Sequence, residues 1–226
     1  GPSESGGHPL MSSLICVAGG KGAPGASTVA LALALAAGSD QQVTLVDADP
    51  DGGGLAARLG ASSTPGLVSM SAAARHGFHP DLIDHHTQAL THSVALLLAP
   101  PSCEQTSGAL ASLGRPLTEA LATRASIADV GRWRLRSPAS DLVSTADAAL
   151  LVIHPTLEGV AHARSQLDDL QQVCGQVSVV CVSHRPYGAA EVADALQVDA
   201  VTVVPADRRG ATLLGSGGVS ERWVNR

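Results

Sequence analysis

Residues 14–28 read Leu-Ile-Cys-Val-Ala-Gly-Gly-Lys-Gly-Ala-Pro-Gly-Ala-Ser-Thr, and an unbroken Val/Ala/Leu run follows as far as Ala37. The first five residues are apolar and partly β-branched, which predicts a strand at 14–18. The Ala/Leu run predicts a helix over 27–37, stopped by Gly38. Between them lies a glycine-rich turn. Glycines let the main chain curl until successive N–H groups point inward, and the helix that follows adds the positive end of its dipole, so such a turn is suited to phosphate. Its candidate contacts are Gly20, Lys21, Gly22, Ala23, Pro24, Gly25, Ala26, Ser27 and Thr28. Ser27 offers a hydroxyl to a metal ion accompanying the phosphates, and Thr28 sits on the first helical turn, within reach of the same anion.

Outward from this stretch, short apolar segments alternate with longer Ala/Leu-rich ones. Further strands are expected at 43–47, 94–99, 125–129, 149–154, 177–182 and 200–204, and further helices at 104–113, 117–123, 157–173, 189–196 and 208–214. Strands apolar throughout belong in a sheet covered on both faces. The pattern predicts an α/β, three-layer fold with a mostly parallel sheet of about seven strands flanked by helices. Residues 62–92, punctuated by Pro65, Gly66, Gly77 and Pro80, read as irregular helical surface. Residues 1–10 read as a tag remnant and linker, 11–226 as a single nucleotide-binding domain, and 215–226 as a loop or frayed end.

The 226 residues are 45% hydrophobic but only 2% aromatic, so Ala, Val, Leu and Ile must build the core. A net charge of −6 gives no general attraction to nucleic acid or anionic lipid, and neither partner finds support in the sequence. Cys16, Cys103, Cys174 and Cys181 form no C-x-x-C pair and read as thiols of a reducing compartment, so a cytoplasmic protein is expected. No apolar run reaches the roughly 18 residues of a membrane span. Lys21 is the sole lysine among 14 basic side chains, and it stands inside the glycine-rich loop.

The loop lacks the lysine that the phosphate-loop pattern G-x-x-x-x-G-K-[ST] places before the hydroxyl residue: Ala26 stands there. Instead, Lys21-Gly-Ala-Pro-Gly-Ala-Ser-Thr resembles the deviant Walker A box of the MinD/ParA family, K-G-G-x-G-K-[ST]-T, with Lys21 at the position of the family's signature lysine. The alanine at 26 is similar to the CpaE/TadZ branch of pilus-assembly localisation proteins. The resemblance implies ATP and Mg2+ as ligands, a homodimer in which Lys21 reaches the partner's nucleotide, and a protein partner in a polar or secretion assembly.

Downstream segments extend the resemblance over residues 13–214. Val43-Thr-Leu-Val-Asp-Ala-Asp-Pro-Asp resembles the second family motif, which implies that Asp47 supports the metal's water shell and that Asp49 positions attacking water. Ser126-Ile-Ala-Asp-Val-Gly resembles a Walker B strand, in which Asp129 joins Ser27 at the metal. His184-Arg185 falls where the family has an Asn-Arg pair near adenine, and imidazole can supply either hydrogen-bond partner. Pro205 and Asp207 fall on the loop that in the family packs near the base. Any hydrolysis is expected to be slow, because Ala26 removes a cation that ordinarily neutralises the β- and γ-phosphates.

Other constellations carry less. His76, His79, His85, His86 and His92 crowd one segment without a diagnostic metal spacing and read as solvated. Arg132, Arg134 and Arg136 around Trp133 read as a surface loop, and no G-x-S-x-G elbow is present. Two other function classes fit the residues: an active ParA/MinD-type ATPase in chromosome partitioning or septum placement, and a pseudo-ATPase interaction scaffold.

Overall fold

The computed structural model describes residues 12–22 and 25–215. The expected tag and linker at 1–10, the loop residues Ala23 and Pro24, and the end from 216 onward lie outside the described residues.

The predicted first strand and helix are β1 (Ser13–Gly19) and α1 (Ala26–Ala37), which ends at Gly38. They are followed by β2 (Val43–Asp47), α2 (Leu55–Leu59), α3 (Leu67–Ala74), α4 (Asp81–His86), β3 (Gln88–Ala89) and β4 (Val94–Leu97). Next come α5 (Cys103–Ala122), β5 (Ala125–Arg132), α6 (Ser140–Thr145), β6 (Ala148–Ile153) and α7 (Leu157–Gln171). The chain continues through β7 (Val177–Val182), α8 (Ala189–Leu196), β8 (Val201–Val204) and α9 (Arg208–Gly215). The two helices expected at 104–113 and 117–123 are the two limbs of α5, which breaks at Gly114 (φ 43°, ψ −136°), two residues before Pro116.

The strands form one sheet in the order β3-β4-β2-β5-β1-β6-β7-β8, eight strands where about seven were expected. The additional one, β3, is two residues long and is the antiparallel member, held through Gln88 opposite Leu96 and Ala89 opposite Ala95. The remaining pairs are parallel. Alternation along the strands sends side chains to two cores. Leu14, Cys16, Ala18, Val46 and Ala128 face a cluster that includes α3–α8, whereas Val17, Leu45 and Ile127 face α1 and α2. This makes the three layers.

From β1 the chain moves to β2 on one side of the sheet, and after β5 it crosses β1 to reach β6 on the other. The end of β1 is therefore the point where strand order reverses, the place at which open α/β sheets bind ligands. The glycine-rich turn leaves β1 there. Asp47 and Asp129 lie opposite each other on β2 and β5, at the same edge.

The 62–92 segment is more than surface. Leu67 and Met70 of α3 and Ile83 of α4 are fully buried in the larger cluster, so this segment covers the sheet beside α5. Truncating Met70 to Ala is expected to lower the unfolding free energy by about 2–5 kcal/mol, the usual loss for emptying a close-packed site. Denaturant titration checks it; a loss under about 0.5 kcal/mol would mean that α3 merely lies on the surface.

Candidate functional site

At the end of β1 the Gly20 N–H donates to the Val152 carbonyl on β6 at 2.8 Å, so Gly20 extends the sheet and its amide is not a spare anion donor. Gly22 (φ 66°) and Gly25 (φ 136°) take left-handed backbone conformations that side-chain-bearing residues rarely adopt, which is how the turn curls. Gly25 lies against Val182 at the end of β7 and is the N-cap of α1. No side chain caps this helix, whereas Ser102 caps α5 and Thr156 caps α7. The first-turn amides of α1, with Ala26, Ser27 and Thr28, thus open onto the sheet edge.

Beside them lie the carboxylates expected from the sequence. Asp129, 1% exposed, accepts a hydrogen bond from the Gly131 N–H at 3.2 Å, and the Ser27 hydroxyl lies beside it. Burial raises its pKa, and the Ser27 hydroxyl and the Gly131 amide oppose the rise. Asp47 is fully buried, and its Oδ2 accepts from the Leu55 N–H at 3.0 Å at the start of α2. Among the described residues its Oδ1 has no hydrogen-bond partner within bonding geometry, although the Ala99 N–H lies near the carboxyl. Burial first, and then the charge of Asp129, push Asp47 up to about 7. Asp49 is also raised, chiefly by burial, while its Oδ1 accepts from the Asp51 N–H at 2.9 Å. Its carboxylate packs directly over Gly131 (φ 61°), where any Cβ would collide with it. Only glycine fits at 131.

Lys21 stands apart from these acids. Its ammonium lies 3.3 Å from Glu158 Oε1 and 3.1 Å from His162 Nε2, one turn apart on α7. The bond to Nε2 requires that nitrogen to be unprotonated, because an ammonium can only donate. At the far side of the turn, His184 and Arg185 follow β7, and Pro205 and Asp207 follow β8. All four are exposed, and the two loops are tied by the Ser183 N–H to the Val204 carbonyl at 2.9 Å. The structure therefore brings Ser27, Asp47, Asp49 and Asp129 together and sets the two distal loops along the same edge, with Lys21 turned toward α7.

The contacts of four residues around the site were missed by sequence reasoning. Arg58 on α2 reaches Thr28 Oγ1 at 3.2 Å through its Nη1. Glu158 and His162 hold Lys21, and their i,i+4 spacing was the only signal of a shared face. Arg134 is bidentate to Asp51 at 2.7 and 2.8 Å and holds that carboxyl below its usual range. The basic run is accordingly not a plain surface loop: Trp133 is 3% exposed and core-packed, with Arg132 and Arg134 exposed on either side. Among the described residues no cluster of three or more His, Cys, Asp or Glu is placed to hold a metal, and His86 instead bonds Ser69 at 2.8 Å. Among the described residues no helix is long and apolar enough to cross a membrane.

A carboxyl whose folded pKa exceeds its unfolded value of 3.8 stabilises the fold at low pH and loses that contribution as pH rises toward the folded value, here about 7. Relative to Asp47→Asn, the wild type is expected to lose up to about 4 kcal/mol of unfolding free energy across that window, measured by denaturant titration without nucleotide. Parallel profiles for the two proteins would mean that Asp47 ionises as it does in water.

No protein-family model and no curated sequence matches the chain. Solved structures resemble it in shape. A ParA family ATPase from Chlorobium tepidum TLS superposes with a TM-score of 0.74 at 18% identity, over 91% of this chain and 90% of the other. The cell division ATPase MinD of Pyrococcus furiosus gives 0.73 at 20% identity, covering 94% and 92%. The septum site-determining protein MinD of Pyrococcus horikoshii OT3, complexed with Mg-ADP, gives 0.73 at 20%, covering 91% and 86%. The chain has the fold of the ParA and MinD ATPases.

Proposed function

We propose that the chain is an ATP- and Mg2+-binding switch of the ParA/MinD type, closest to the CpaE/TadZ branch, whose nucleotide-dependent homodimerisation positions a partner machine such as a pilus or secretion apparatus. One observation carries the nucleotide part: the uncapped N-terminus of α1 opens with its Ser27 hydroxyl beside buried Asp129. Main-chain amides and a helix dipole complement phosphate, while a hydroxyl and a carboxylate complement a hard cation. That the Pyrococcus horikoshii neighbour is complexed with Mg-ADP supports the same reading.

The donor set fits Mg2+. This ion takes one or two protein oxygens and completes its shell with waters and phosphate oxygens. Ser27 and Asp129 would supply the protein oxygens, and the unpartnered Oδ1 of Asp47 is an acceptor suited to a metal-bound water. When bound, the ion neutralises charge on the β- and γ-phosphates.

The chain's own residues do the rest. Amides from Gly22 to Thr28 cradle the phosphates, and Asp49, fixed over Gly131, orients water. His184, Arg185, Pro205 and Asp207 form the wall nearest the base. Lys21 serves the partner's nucleotide once it leaves Glu158 and His162. Ala26 contributes no charge to the transition state, so turnover is slow.

Calorimetry with ATP and Mg2+ is expected to register binding. Asp129→Asn should lower the Mg2+-dependent affinity by about tenfold or more, because a charged acceptor becomes a neutral one. Absence of heat and of any thermal shift in the wild type would overturn the nucleotide reading. Lys21→Ala should leave monomer affinity within about threefold while abolishing ATP-dependent dimerisation in sedimentation. Dimerisation as in the wild type would remove the role given to Lys21.

A further inference from the structure

The proposed site has an electrostatic deficit. Three carboxylates, Asp47, Asp49 and Asp129, are gathered at the edge of β2 and β5, and burial raises the pKa of each. A triphosphate brings several more negative charges to the same place. The residue that would ordinarily supply a lysine in the loop is Ala26, a buried methyl. Lys21, the sole lysine, is engaged by Glu158 and His162 on α7. Main-chain dipoles amount to about half an elementary charge, too little to offset this excess.

We propose that Arg58 is the cation that the phosphate loop lacks: its guanidinium, delivered from α2 onto the first turn of α1, contacts the nucleotide phosphates of its own subunit. One contact places it there. Its Nη1 donates to Thr28 Oγ1 at 3.2 Å, one residue beyond Ser27.

The placement of α2 is not accidental. The helix starts on Asp47, through the Leu55 N–H at 3.0 Å, and it is pinned by Leu55, which is fully buried against the α1 side of the sheet. Within the same short helix, Arg58 reaches the first turn of α1. A guanidinium carries five N–H donors in a planar fork, and the bond to Thr28 takes one, so the same side chain can hold Thr28 and a phosphate oxygen together. Because α2 hangs from the carboxylate beside the metal site, phosphate contact through Arg58 would also tie this helix to the nucleotide state.

The inference rests on the nucleotide site proposed above, and the test separates the two. Affinity for ATP with Mg2+ is measured by calorimetry for the wild type, Arg58→Lys, Arg58→Gln and Arg58→Ala, together with the melting temperature of each without nucleotide. Arg58→Gln keeps a donor for Thr28 but carries no charge. It is expected to bind about tenfold or more weakly, with nucleotide-free stability little changed, and Arg58→Lys is expected to recover most of the affinity. Arg58→Ala should lose at least as much affinity as Gln. Wild-type binding with Arg58→Gln within about twofold of it would overturn the role of Arg58 and leave the site standing. So would a loss of affinity that Arg58→Lys does not recover, or one matched by an equal loss of nucleotide-free stability, since both mark a structural tie between α1 and α2. No binding by the wild type would overturn the site itself.

Discussion

Two acids on neighbouring strands, Asp47 and Asp129, are buried side by side where the sheet meets the open end of α1. Isolated carboxylates in such surroundings are costly, and the surrounding structure offsets that cost locally. Asp129 takes the Gly131 amide with the Ser27 hydroxyl beside it; Asp47 takes the Leu55 amide and keeps one oxygen without a hydrogen-bond partner among the described residues. The elements around the site answer to this arrangement. The start of α2 is fixed by Asp47, position 131 near the end of β5 must be glycine to admit Asp49, and α1 begins without a side-chain cap so that its amides face the same space. A site strained by like charges is a site prepared for cations.

Cations approach that space from two directions. From one side comes α2 with Arg58, tied to Thr28. On the other, Lys21 leans away to α7, where a carboxylate and an imidazole hold it. The difference is geometric. The strand that precedes α7, β6, runs alongside β1, so a side chain just past β1 meets the first turns of α7. In contrast, α2 lies on the opposite face of the sheet, packed with α1. One loop is thus served by two layers of the fold.

Much of the architecture was legible in the residues. Each of the seven expected strands is present with its ends shifted by at most a few residues, because a fully covered strand must be apolar throughout. The eighth, β3, could not be read: two residues carry no periodicity, and Gln88 and Ala89 become a strand only because β4 lies beside them. The 62–92 segment was read as helical surface; its helices are there, but its prolines and glycines hid their buried faces, which amount to Leu67, Met70 and Ile83. In the site, Ser27, Asp47, Asp49 and Asp129 follow directly from strand ends and the glycine turn. The basic run at 132–136 leaves its arginines exposed as read, but the burial of the Trp133 indole between them depends on how β5 leaves the sheet.

The sequence alone determined the position of the phosphate-suited turn, the order of strands and helices, and the set of acids at the sheet edge. Each of these is written in consecutive residues, through backbone preference and hydrophobic period. Only the tertiary structure decided which cation meets which acceptor: Arg58 with the Thr28 hydroxyl across 30 positions, Lys21 with Glu158 and His162, Arg134 with Asp51 across 83. The physical reason is that electrostatic pairing acts over a few ångströms in space and has no counterpart in sequence distance, so it becomes defined only when the layers have packed.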